Sequence, residues 1–250
     1  MLAGLSFDWL FEPVEDLDAW LTGLLEGAPL VVALGIAFVL GVRHASDPDH
    51  LVAVTSLVTS ERGGGTRGAT RLGVWWGLGH ATTLMLIGIP LIALKSELPA
   101  WMESGAEKAV GIVIVLLAVR IVWKWAHGDY RSTPHGHASR AHRHLYRGEP
   151  EHSHRPVRGP RQAFAIGVLH GLAGTGAVVV LLLTALPERT EAAAALAVFA
   201  PMSVLSMAAC TTVYSWILTR PVVDPVFRTV LIPALGAFGL MFGLWYAGIT

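Results

Sequence analysis

Between residues 43 and 50 the chain reads Arg43-His44-Ala45-Ser46-Asp47-Pro48-Asp49-His50, inside an apolar run that resumes with Leu51-Val52-Ala53-Val54. Imidazole and carboxylate are ligands for divalent metal ions. Each ionisable group held at membrane depth costs about 2.5–3.5 kcal/mol on insertion scales. Two histidines and two carboxylates placed there must therefore face a partner, a water-filled cavity or a metal. On a helix, His44 and Asp47 share a face, as do Asp47 and His50. Pro48 has no N–H to give the His44 carbonyl, and it pushes Asp47 out of helical geometry. This predicts a kink or short unwound stretch, tolerated only where it lines a cavity or is buried in protein. Freed carbonyls and half-helix ends would then be open to a cation. A nitrogen and oxygen donor set without thiolate suits Ni(II) or Co(II), accepts Zn(II) and disfavours Cu(I). The competing reading is a buried structural hydrogen-bond network.

The elements that must hold this set are membrane helices. The 250 residues carry no net charge, and 53% are hydrophobic against 14% charged, where soluble domains average about 25% charged. The mean hydropathy is +0.56. With no basic excess to neutralise phosphates, nucleic-acid binding is not expected. Cys210 is the only cysteine, which excludes a disulfide scaffold, a thiol redox channel and a Cys-rich zinc site. Six segments read as spans, 29–58, 72–94, 109–125, 162–186, 192–218 and 226–249, each near the roughly 20 residues that cross a bilayer. Pro201 interrupts the fifth. The fold class is thus all-α, a polytopic membrane protein with six transmembrane helices. Four regions follow: an amphipathic N-terminal segment 1–28, a first three-helix unit 29–126, a His-rich loop 127–161, and a second three-helix unit 162–250. Segment 1–28 is acidic without Lys or Arg, unlike a cleaved signal peptide. It reads as an amphipathic helix on the outer membrane face. Arginines gather after the odd spans, at Arg62, Arg67 and Arg71, through 131–161, and at Arg220 and Arg228. This places those loops in the cytoplasm and both termini outside a plasma membrane.

The two halves echo one another. Gly41-Val42-Arg43-His44 and Gly167-Val168-Leu169-His170 stand 126 residues apart, and at that offset His80 falls opposite Ser206. Three spans per half make the halves opposite in orientation, an inverted 3+3 repeat with its site at the repeat interface. Gly77 and Gly79 let the helix of His80 approach closely, so His80 is expected to join His44, Asp47, Asp49 and His50. His170 is the sixth candidate ligand. Gly167, Gly171, Gly174 and Gly176 permit either tight packing or a substrate-lining break. Ser203, Ser206, Thr211 and Thr212 are expected to bond between helices. Tryptophans such as Trp101, Trp123, Trp125 and Trp245 read as interface anchors.

At these residues the chain resembles the nickel/cobalt transporter superfamily. His44 to His50 is similar to its His-x4-Asp-His signature, with the arginine before the histidine. Gly77-Leu78-Gly79-His80-Ala81-Thr82 is similar to its second motif. Gly167–Gly176 and Ser203–Met207 look like its third and fourth. The resemblance covers spans one, two, four and five. It implies proton- or potential-coupled movement of Ni(II) or Co(II), with His44, Asp49 and His50 recognising the metal. Six spans rather than eight, and Ser46 and Pro48 within the signature, place it nearer the urease-accessory nickel permeases and the nickel/cobalt exporters.

Seven of the eleven histidines lie in the loop. Six form the pairs His135 and His137, His142 and His144, and His152 and His154. Residues two apart in an extended chain point the same way, so each pair could grip a metal loosely as a buffer or sensor. The loop's composition predicts disorder. The reading is a secondary transporter, not an enzyme, whose metal is cargo and not a permanently bound cofactor. Its partners are the ion, the lipid bilayer and, through protonation of the ligands, protons as coupling ion; a homo-oligomer is compatible with it. The alternatives are an exporter of a small anion or amino acid, a membrane metal-sensing accessory protein acting through the loop, and a membrane metal-dependent hydrolase.

Overall fold

The computed structural model describes residues 7–25, 27–60, 65–127, 131–137, 140–146, 159–186, 188–218 and 226–249. The chain begins with α1 (Asp8–Gly23). Span one follows as α2 (Leu30–Arg43), a 3-10 turn at His44–Ser46 and α3 (Pro48–Ser60). Span two is α4 (Gly65–Thr83), a π-helical turn at Leu84–Gly88 and α5 (Ile89–Leu94). Span three is α6 (Ala100–Ala126), span four α7 (Pro160–Ala185) and span five α8 (Arg189–Leu218). The last is a π-helical turn at Phe227–Leu231 leading into α9 (Ile232–Tyr246). Among the described residues five helices are long and apolar enough to cross a membrane, or six when the pair bent by 54° at the first span is counted as one. The protein is an all-α polytopic membrane protein.

Proline explains most of the irregularities. Both π-helical turns end two residues before a proline, Pro90 and Pro233. A widened turn relieves the clash of the ring with the carbonyl four residues back. At Pro201, by contrast, α8 runs through unbroken for 30 residues. The helix loses one backbone bond there, which packed membrane helices tolerate.

Within the histidine-rich loop, expected to be disordered, the described residues include an antiparallel pair, β1 (Arg131–His137) and β2 (Arg140–Tyr146), with His135 opposite His142. A composition that cannot build a core can still pair two short strands through the backbone, although a lone hairpin in water is marginal. His152 and His154 lie outside the described residues.

Two apolar clusters sit on either side of the break in span one. One joins Leu21 and Leu25 to Ile36, Leu40, Val179 and Phe199. The other joins Val54, Leu72 and Trp76 to Ile121, Met207 and Ile232. Thus Leu21 of α1 and Leu25 just after it reach the bundle, while Trp9 and Trp20 stay exposed. Phe7 ahead of it packs edge-on against Phe238 and Phe242. The expectation of hydroxyl bonding between helices holds only at Thr212, whose hydroxyl meets that of Thr70 at 2.8 Å. Ser203, Ser206 and Thr211 instead donate to carbonyls of their own helix, where a carbonyl one turn back lies within reach of a short hydroxyl side chain.

Candidate metal centre

The break in span one gathers the polar set. Asp47 has extended geometry, φ −61° and ψ 143°, as the residue before a proline should. The His44 carbonyl is not left open to a cation, contrary to the expectation from Pro48. The Asp47 N–H reaches it at 3.2 Å through a tightened 3-10 bond, and the Asp47 carbonyl accepts from Leu51 N–H at 3.0 Å to start α3. The break therefore presents side chains rather than bare carbonyls.

Those side chains are held by oxygen acceptors. Asp47 accepts from Arg43 Nη1 at 2.9 Å and from His44 Nδ1 at 3.0 Å, one bond to each oxygen. Asp49 Oδ1 accepts from His50 Nδ1 at 2.9 Å. On α7, His170 Nδ1 donates to the Ile166 carbonyl at 3.2 Å. A carbonyl or carboxylate can only accept, so Nδ1 carries the proton in all three neutral rings and Nε2 is left with its lone pair. Oxygen partners on Nδ1 are the usual second layer around metal-binding histidines.

The ring nitrogens lie close together. His80 Nε2 donates to His44 Nε2 at 2.9 Å, since the His44 proton is on Nδ1, and this leaves the His80 lone pair on Nδ1. Ring centroids separate His44 from His50 by 4.4 Å, His50 from His80 by 5.4 Å and His50 from His170 by 5.5 Å. His44, His50 and His80 each offer a ligand atom within 4.8 Å of the others, as do Asp47, Asp49 and His50. His50, His80 and His170 are 3%, 0% and 2% exposed. Among the described residues, His50 Nε2, His80 Nδ1 and His170 Nε2 have no hydrogen-bond partner. Buried polar atoms are normally paired, so orphaned nitrogens on three neighbouring imidazoles fit a cation that would use them. The structure brings His44, His50 and His80 together, and Asp47, Asp49 and His50 together, with His170 beside them, its ring centroid 5.5 Å from that of His50.

Packing of α4 against α7 and α8 sets His80 and His170. A Cβ on Gly171 would fall 2.6 Å from the His80 carbonyl, and one on Gly77 would fall 2.9 Å from Val204 Cα. Gly77, Gly167 and Gly171 serve tight packing, whereas Gly174 lines the cavity. Trp76 is the residue that sequence reasoning missed. Instead of anchoring at an interface it is fully buried, with centroids 5.4 Å from His50 and 5.7 Å from His170. Its place one turn before His80 was the available signal.

A cavity of about 680 Å³ reaches the cluster. Arg43, His44, Asp47, Asp49, His50 and His170 line its floor, and Glu12, Glu103, Glu107 and Tyr246 line the rest with apolar residues of α2, α7 and α8. Of the loop histidines, His135, His137, His142 and His144 lie on the hairpin strands, which connect the Ala126 end of α6 to α7. The six intramembrane candidates are grouped apart from them.

Comparison with known proteins points the same way. Residues 30–206 match the model of the NicO family, described as high-affinity nickel-transport protein. The chain is 28% identical over 222 residues to the urease accessory protein UreH of Bacillus sp. (strain TB-90), covering 89% of this chain and 93% of that one. It is 33% identical over 106 residues to the high-affinity nickel transport protein of Cupriavidus necator, covering 41% of this chain and 29% of the relative. It is 31% identical over 86 residues to the cobalt transport protein NhlF of Rhodococcus rhodochrous, covering 34% and 24%. No solved structure matches. The family match takes in the broken helix, α4, α6, α7 and α8 as far as residue 206.

Proposed function

Because the chain belongs to the family of high-affinity nickel-transport proteins, we propose that the imidazole and carboxylate cluster is the path by which it carries Ni(II) or Co(II) across a membrane. The observation that carries this reading is the group of buried imidazoles at the break, His44, His50 and His80, with unpartnered nitrogens on His50, His80 and the neighbouring His170. His44, His50, His80 and Asp49 hold the partly dehydrated ion, and His170 stands beside them. Asp47, with both oxygens already engaged, orients His44 rather than touching the ion. The Nε2 atoms of His44 and His80, 2.9 Å apart and hydrogen-bonded to one another, would both meet the ion only once the proton between them is lost, which ties binding to pH.

Movement follows from the architecture. The packing is compatible with the inverted repeat, since α4 crosses α7 as α8 crosses the first span, and α4 and α8 face one another, as do α6 and α9. Rocking of one half against the other would expose the cluster to alternate sides. Protonation of the ligands weakens metal binding, which would couple the flux to protons. The arginine distribution supports a cytoplasmic loop with both termini outside. Transport rather than catalysis is the reading the family supports.

The test is uptake of radioactive nickel and cobalt by cells expressing the protein, beside a His50→Ala control of equal membrane abundance. The expected result is a difference in cell-associated metal that the control lacks, with its sign giving the direction of transport. Equal metal content in both would sink the site. The hairpin loop is proposed to buffer metal and to lie off the path. Deleting residues 130–158 should therefore leave initial uptake rates within about two-fold. A complete loss with the protein still in the membrane would favour an accessory or sensing role.

A further inference from the structure

The cavity above the cluster is more acidic than its floor requires. Glu103 and Glu107 stand one turn apart on the same face of α6 and are both half-buried along the cavity wall. Among the described residues neither takes part in an ion pair. They lie 23 and 19 residues from the Ala126 end of α6, about 30–35 Å from the histidine-rich loop at helical rise.

The Glu103 carboxylate is seated, not free. It lies directly on the backbone of α7 at Gly176, where its three carboxyl atoms are the nearest neighbours a Cβ would meet. Any larger residue at 176 would push the carboxylate off. The glycine there makes room for nothing else. Six residues earlier on α7, His170 lines the same cavity as Glu103 while 2% exposed. Its Nδ1 is tied to the Ile166 carbonyl. The unpartnered Nε2 therefore points away from its own backbone with a lone pair to offer. Between the paired carboxylates and this nitrogen the cavity is lined largely by Ala173, Gly174 and Ala177, small residues that leave room for an ion still carrying water.

We propose that Glu103 and Glu107, which line the same cavity as His170, form a second cation site, an antechamber where a hydrated divalent metal is held before it reaches the His44, His50 and His80 cluster. The inference rests on the reading that this cluster passes such an ion. Two carboxylates in a low-dielectric funnel raise the local cation concentration and the rate of capture, commonly by 10-fold or more. Hard oxygen donors suit an ion that keeps its hydration shell, and the nitrogens below suit one that sheds it. The antechamber thus sets how fast the ion is captured, and the cluster sets what is carried.

The test is the concentration dependence of nickel uptake for the full chain and four variants, His50→Ala among them. In Glu103→Gln/Glu107→Gln the apparent KM for Ni(II) should rise about 10-fold, with the maximal rate within about two-fold of the original. Gly176→Ala, which displaces only the Glu103 carboxylate and favours the helix, should raise KM by a smaller factor. Glu97→Gln, an exposed carboxylate outside the cavity, should leave KM unchanged. A purely structural role for the glutamates would lower the maximal rate or the amount of protein and leave KM alone. Unchanged KM in both the double variant and Gly176→Ala, with His50→Ala still inactive, would overturn the antechamber and leave the cluster standing. Uptake by His50→Ala equal to the original would remove the cluster reading, and the antechamber with it.

Discussion

Gly167→Leu should lose most of the protein's stability, whereas Gly35→Leu should leave it nearly unchanged. A Cβ on Gly167 would collide with the Trp76 carbonyl and approach His80 N to 2.9 Å, and one on Gly79 would collide with the Phe164 carbonyl across the same crossing. The atoms in the way are backbone, so no rotamer change can relieve them. Overpacking a core costs about 1–3 kcal/mol when side chains can yield. With backbone against backbone the cost should reach or exceed about 3 kcal/mol, because α4 and α7 must separate. That separation would also draw His80 away from His44. A Cβ on Gly35 meets nothing within 4 Å, so leucine there faces outward, where lipid accommodates it. Thermal unfolding of the purified protein in detergent, with and without nickel, reads both effects. Gly167→Leu should unfold many degrees lower and lose stabilisation by nickel. Equal melting of the two variants would show that the α4–α7 contact does not hold the site together.

Much of this arrangement was legible from residue types alone. Charged groups are expensive in a membrane, so the cluster from Arg43 to His50 had to face a partner, a cavity or a metal, and Pro48 was expected to bend its helix. The spacing of three put the His44 ring on Asp47, and the structure places it there at 3.0 Å. Helix ends were less legible. Hydropathy marks where a helix meets lipid, not where it begins. Thus α6 starts at Ala100, well before the apolar stretch from 109, and its first turns carry Glu103 and Glu107. Similarly, α4 starts at Gly65 and includes Arg67 and Arg71, which the apolar window assigned to a loop. The fate of the His44 carbonyl could not be read either. Pro48 removes one donor, but a 3-10 bond from Asp47 replaces it, and local tightening of that kind leaves no trace in composition. The burial of Trp76 depended on which face of α4 meets α7, which only the glycine contacts decide. Distances between helices were wholly beyond the sequence, and with them the cavity that joins the acidic wall of α6 to the histidines.

Asp47→Ala and His44→Ala should not be additive. If Asp47 acts by holding His44 Nδ1 and pairing with Arg43, its removal leaves the imidazole present but free to turn and to change tautomer. Loss of such an oxygen partner commonly weakens metal binding 10- to 100-fold. His44→Ala removes a proposed ligand and should cost more than 100-fold by the same scale. In the double variant Asp47 has no ring left to orient, so the combined loss should equal that of His44→Ala alone. The coupling would then be about 1.4–2.7 kcal/mol, within the range found for residues that act through one another. Asp49 offers the contrast. It borders the cavity beside His50, so Asp49→Ala combined with His44→Ala should multiply the losses if the carboxylate itself meets the ion. Equilibrium binding of Ni(II) to the purified variants measures both cycles. If Asp47→Ala still weakens binding 10-fold or more in a His44→Ala background, the carboxylate touches the metal directly. The bend at Pro48 would then supply a ligand, and not only the brace behind one.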